Sequence, residues 1–132
     1  MIPQERQAYV EFRLESAYQT YEAAKILFEK GFWNSSVNRI YYSVYYAVNA
    51  ILVLNGIHTK THASVKSQFS QHFVKTGEFD PKYGRLLNQL YDWRQKGDYE
   101  NLFDYTESDV APLLISSLEM IKEIDEKVKN AL

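Results

Sequence analysis

The 132 residues contain no cysteine, three prolines and five glycines. Without thiols there is no disulfide, no thiolate ligand and no cysteine nucleophile, and a cytoplasmic setting is expected. So few chain breakers favour long helices over many short strands. No apolar run approaches bilayer-spanning length, and the opening MIPQERQAYV lacks a signal-peptide core, so no membrane association is expected. Net charge is small too. Fifteen Lys+Arg against seventeen Asp+Glu leave a net charge of −2, which argues against nucleic-acid binding by bulk electrostatics but permits a local basic groove. No GxGxxG or GxxxxGK[ST] loop is present to cradle phosphate, and no Ser/His/Asp signature supports nucleophilic hydrolysis. His58 and His62 are four apart, but His58 falls in an expected loop and no Glu-x-x-His pair occurs, so neither a metal nor a cofactor is expected.

What the chain has in abundance is aromatic side chains, 15% of residues with eleven tyrosines. Tyrosine is amphipathic, so this surplus suits a core, an oligomer interface or a broad groove. With 45% hydrophobic residues, the length fits one domain over residues 1–132. Its organising stretch is NRIYYSVYYAVNAILVL, Asn38 to Leu54. Val37, Tyr41, Val44, Val48 and Ile51 line one helical face, Tyr45 and Leu52 widen it, and Ile40, Ala47 and Leu54 mark a second. A helix apolar over so much of its circumference has to be covered by other helices on several sides.

The remaining helices are arranged around it. The spacing of Val10, Leu14, Ala17, Tyr21, Ala24 and Phe28 predicts a first helix from about Gln4 to Lys30, stopped by Gly31. Asn34 or Ser35 is the expected cap of the central helix, and the short loop predicts an antiparallel hairpin. Asn55-Gly56 closes the central helix. Thr59 or Thr61 then caps a third helix that reaches about Val74 and buries Val65, Phe69 and Phe73. Asp80-Pro81 starts a fourth helix that carries Tyr83, Leu87 and Leu90 inward and is expected to end near Lys96-Gly97. Thr106 and Asp109 form a capping pattern opening a last helix, with Val110, Leu114, Ile121, Ile124 and Val128 inward. The expected architecture is all-α, a single antiparallel bundle of about five helices.

One constellation carries potential chemistry: WRQKGDY, Trp93 to Tyr99. One further step along the stripe Tyr83, Leu87, Leu90 lands on Arg94, which places a guanidinium on the buried side at the helix end. Its five donors require a carboxylate, a phosphate or a neighbouring subunit. Asp98 and Tyr99 follow where the helix is expected to break, close enough to share the pocket. Two readings stay open. Arg94 pairs locally with Asp98, Glu100 or Asp104 and anchors the connector, or it binds phosphate.

The motifs NRIYYSVYYAVNAILVLNG (38–56), KTHASV (60–65), QHFVKTGEFDPKYGRLLNQLYDWRQKGDY (71–99) and FDYTESDV (103–110) together resemble the small HEPN-domain proteins. More narrowly, they resemble an uncharacterised subfamily with an RxxxDY element. The resemblance covers nearly everything after residue 15. It implies a compact helical bundle that forms a homodimer and is encoded beside a minimal nucleotidyltransferase, the pair acting as a toxin–antitoxin module. In ribonuclease members, an arginine and a histidine four to six residues beyond it line a dimer-interface cleft and cut RNA without metal. Arg94 stands at the arginine position, but Tyr99 stands where the histidine would be, preceded by Asp98. Tyrosine, with an ordinary pKa near 10, is a poor base near neutrality. Asn101 occupies the place of the further tyrosine that receives a nucleotide in the extended motif. The resemblance thus implies two functions. The first is a dimeric helical subunit that pairs with a nucleotidyltransferase and offers Arg94 to a nucleotide or RNA phosphate. The second is a metal-independent ribonuclease toxin using Arg94, Asp98 and Tyr99.

Overall fold

A computed structural model describes residues 3–99 and 104–132, with the backbone alone at Tyr99. Five α-helices follow one another: α1 Pro3–Glu29, α2 Trp33–Leu54, α3 His62–Phe69, α4 Pro81–Tyr99 and α5 Glu107–Ala131. One π-helical turn, Ser70–Val74, continues α3 to the expected end. The described residues contain no strand, so the architecture is the all-α bundle that the apolar periodicity implies.

Helix α2 packs against all four other helices, most extensively against α1. Val37, Ile40, Tyr41, Val44, Ala47, Val48, Ile51 and Leu52 are all buried, on both faces anticipated. The α1 stripe Val10, Leu14, Ala17, Tyr21 and Ala24 is buried as well. Both ends of the hairpin are closed by glycines in the left-handed region, Gly31 at φ 81° and Gly56 at φ 74°. Each lets the chain reverse so that the next N–H bonds back into the helix: Phe32 N–H to Leu27 C=O and Ile57 N–H to Leu52 C=O, both at 2.9 Å. Thr61 caps α3 through Ser64 N–H, and a reciprocal Thr106–Asp109 capping box opens α5. Pro112, inside α5, removes one backbone donor from it. Among the described residues no helix is long and apolar enough to cross a membrane.

Two local expectations are corrected. Neither Asn34 nor Ser35 caps α2, because the turn at Gly31 feeds straight into it; Phe32 is the N-cap and makes no side-chain cap. Asn34 instead holds the far connector, its Oδ1 accepting from Tyr105 N–H at 2.8 Å. Helix α4 does not stop at Lys96-Gly97 but runs on to Tyr99. Gly97 is there for contact: a Cβ would lie 3.1 Å from the Tyr105 ring and 3.7 Å from Asn34. Tyr105 cannot easily yield, since it stacks on Trp93 at 4.7 Å and donates to the Trp93 carbonyl at 2.8 Å.

Because Ile51 is only 3% exposed in the last turn of α2, Ile51→Ala is expected to cost about 2–5 kcal/mol in denaturant melts. Lys129→Ala loses one exposed pair with Asp125 and should change stability by less than about 1 kcal/mol. Equal losses would mean that the burial of α2 has been misassigned.

Candidate functional site

The inward stripe of α4 continues through Leu90 to Arg94, which is 8% exposed. Around its guanidinium lie three tyrosine rings, with Cζ 5.2 Å from the Tyr41 centroid, 5.6 Å from Tyr42 and 5.9 Å from Tyr91. These ring faces attract the cation but use few of its donors. Nη1 makes one long bond, 3.4 Å, to the Tyr42 hydroxyl, and the buried Nε has no partner among the described residues. No carboxylate pairs with Arg94 among the described residues. Asp98 is exposed and accepts from Asn38 Nδ2 at 2.8 Å, so the local Arg94–Asp98 ion pair is not formed. The side chain of Tyr99, and all of Glu100 and Asn101, lie outside the described residues.

The group that does stand beside Arg94 is His62. It opens α3, directly after the Thr61 cap, and its ring shares the same three tyrosines: 5.6 Å from Tyr41, 5.9 Å from Tyr42 and 6.3 Å from Tyr91. Tyr45 tilts over it at 4.7 Å. The Tyr41 hydroxyl and His62 Nδ1 are 2.5 Å apart. Burial holds the Tyr41 phenol well above its ordinary pKa, against the lowering pull of Arg94, so it stays protonated. As no other acceptor for its proton stands among the described residues, the protonated Tyr41 is assigned as donor and Nδ1 as acceptor, which leaves the imidazole proton on Nε2. The His62 pKa lies below its ordinary value, first because burial disfavours the imidazolium and second because the Arg94 charge repels it. Position at a helix N-terminus acts in the same direction.

The arrangement therefore pairs a permanent cation, without an anion among the described residues, with a histidine kept neutral near physiological pH. A phosphate entering here meets charge-assisted N–H donors, and a proton acceptor or donor stands within the same ring of tyrosines. No cluster of three His, Asp or Glu among the described residues offers a metal site. His62 was not singled out as a partner of Arg94 from the sequence, because it precedes the arginine and belongs to another helix. The available signal was its place in the KTH segment, one residue after a capping threonine.

The described residues thus form an all-α bundle of five helices with an arginine turned inward on the fourth. The chain belongs to the HEPN family, whose domain model matches residues 10–128. It is 31% identical over 130 residues to a UPF0332 protein of Thermotoga maritima, covering 96% of this chain and 98% of that one. Two proteins of Methanocaldococcus jannaschii are also similar. "Putative toxin MJ0605" is 33% identical over 90% of this chain and 85% of its own. "Putative toxin MJ0142" is 34% identical over 76% and 69%.

Proposed function

We propose that this chain is the helical subunit of a toxin–antitoxin-like pair: a cytoplasmic homodimer that docks a minimal nucleotidyltransferase and takes a nucleotide or RNA phosphate at Arg94. The observation that carries the reading is a nearly buried guanidinium that has, among the described residues, no partner for its Nε and no carboxylate beside it. A structural arginine at that depth ordinarily has an acid to neutralise it, and an uncompensated buried charge is costly. A phosphate supplies both the missing charge and acceptors for the remaining donors. The toxin names that two relatives carry support the module. Equilibrium binding of labelled RNA and of a mononucleotide to the wild-type chain and to Arg94→Ala tests the site. Affinity indifferent to Arg94 would remove it.

A second reading, metal-independent RNA cleavage, is favoured by His62. The linear motif lacks its histidine, but a histidine from α3 stands across the same tyrosines from Arg94. The site then holds both a charge to stabilise a phosphorane and a group able to move a proton. Tyr99 and Asp98 are not needed for that assignment.

The homodimer has its own test. Sedimentation at micromolar concentration should report about twice the 15.5 kDa chain mass, and a monomer there would remove any cleft shared between subunits.

A further inference from the structure

A string of tyrosines and arginines extends away from Arg94 along α2. Tyr42, which touches Arg94, is followed one helical turn on by Tyr46, their ring centroids 6.1 Å apart. Over Tyr46, at 5.0 Å, lies the guanidinium of Arg13 from α1, which is also 5.2 Å from the Tyr9 ring. Arg13 Nε donates to the Tyr9 hydroxyl at 3.0 Å, and that hydroxyl donates to Asn49 Oδ1 at 3.0 Å. Arg13 is thus held by a neutral relay, and among the described residues its other donors make no hydrogen bond. Arg39 lies over Tyr42 at 5.1 Å and rests on the Asn38 side-chain oxygen. Among the described residues no carboxylate pairs with Arg13, Arg39 or Arg94, on a chain whose net charge is −2.

We infer that Arg13, Tyr9 and Tyr46 form a second subsite, which takes a neighbouring nucleotide of a single-stranded RNA whose phosphate is held at Arg94. The inference rests on the proposed phosphate site and names its substrate class. Cations that track a backbone, alternating with half-buried rings on which bases stack, are what a single strand requires. A duplex has its bases stacked inside and offers these rings nothing to stack on.

The test is fluorescence anisotropy with a labelled 2′-O-methyl oligouridine decamer, labelled uridine monophosphate and a duplex of the same length. Arg13→Ala and Tyr46→Leu should each weaken decamer binding about tenfold and leave the mononucleotide unchanged, since one stacked base or one phosphate contact is lost. Arg94→Ala should weaken both ligands, and the wild type should prefer the single strand to the duplex. Arg13→Gln, which keeps length and a donor, reads the same loss if Arg13→Ala melts early. Decamer binding unchanged in Arg13→Ala and Arg13→Gln but lost in Arg94→Ala overturns the subsite and leaves the phosphate site standing. Binding unchanged in all variants overturns both. Loss of dimer mass in Arg13→Ala with decamer affinity intact assigns the face to a second copy and overturns the inference as well.

Discussion

Arg94→Ala should lower the affinity for RNA and for a mononucleotide by about ten- to a hundredfold while leaving the fold intact. The magnitude follows from the hydrogen bonds at stake, which are charge-assisted and worth roughly 1.5–3 kcal/mol together with the geometry they fix. The insensitivity of the fold follows from what Arg94 lacks. Among the described residues it holds no ion pair, its buried Nε has no partner, and three tyrosine faces surround it. Removing it forfeits cation–π attraction of about 0.5–2 kcal/mol but also ends the desolvation of an unpaired charge, so the two effects largely offset. Saturating phosphate ligand should raise the melting temperature of the wild type and not that of the variant, since only a chain that binds is stabilised by mass action. Arg94→Lys should recover little, because a point charge lacks the planar fork that stacks on tyrosine while it grips phosphate. A melt that collapses in Arg94→Ala with ligand affinity retained would show that the arginine serves packing alone.

The bundle was legible because burial follows periodicity. Val10, Leu14, Ala17, Tyr21 and Ala24 recur at helical spacing and are buried for that reason, and the doubly apolar face of α2 announces its central place. Local capping was legible where it is local, as at Thr61, Asp80 and Thr106. Gly97 misled because its cause is not nearby in sequence. It reads as a helix stop but gives room to Tyr105, which is docked from the other side of the connector. Asn34 misled in the same way, serving that connector rather than its own helix. The inward turn of Arg94 could be read by extending a stripe, whereas its neighbour could not. The sequence pattern looks for a histidine after the arginine on the same segment, and the structure brings one from α3, which precedes it. The packing of α3 and α4 against α2 and against each other joins them.

If the site cleaves RNA, His62→Gln should reduce the cleavage rate by a hundredfold or more with chelator present, the size expected for loss of general acid–base help. The balanced step is transfer of the ribose 2′-hydroxyl proton to the imidazole as the 2′ oxygen attacks phosphorus. The P–O5′ bond breaks, and the departing oxygen takes a proton from an acid or water; Arg94 stabilises the charge that builds on the phosphoryl oxygens. The acceptor must be neutral, and the environment of His62 holds its pKa below the ordinary 6.5 through burial and then through Arg94. Cleavage should therefore persist to lower pH than an ordinary histidine would allow and fall only below the depressed value. A titration of the His62 ring by NMR should place its pKa below 6.5 in the wild type and move it upward in Arg94→Ala, where one of the two causes is gone. Stability carries the same sign. Between the depressed folded value and 6.5 the unfolded chain binds more protons than the folded one, so stability is full above that window and declines as pH falls through it. His62→Gln should flatten this dependence. Tyr41→Phe should spare phosphate binding but weaken the placement of the ring, since it deletes the only hydrogen bond to Nδ1 among the described residues. Cleavage unchanged in His62→Gln but lost in a Tyr99→Phe variant would return the proton transfer to the arginine's own segment.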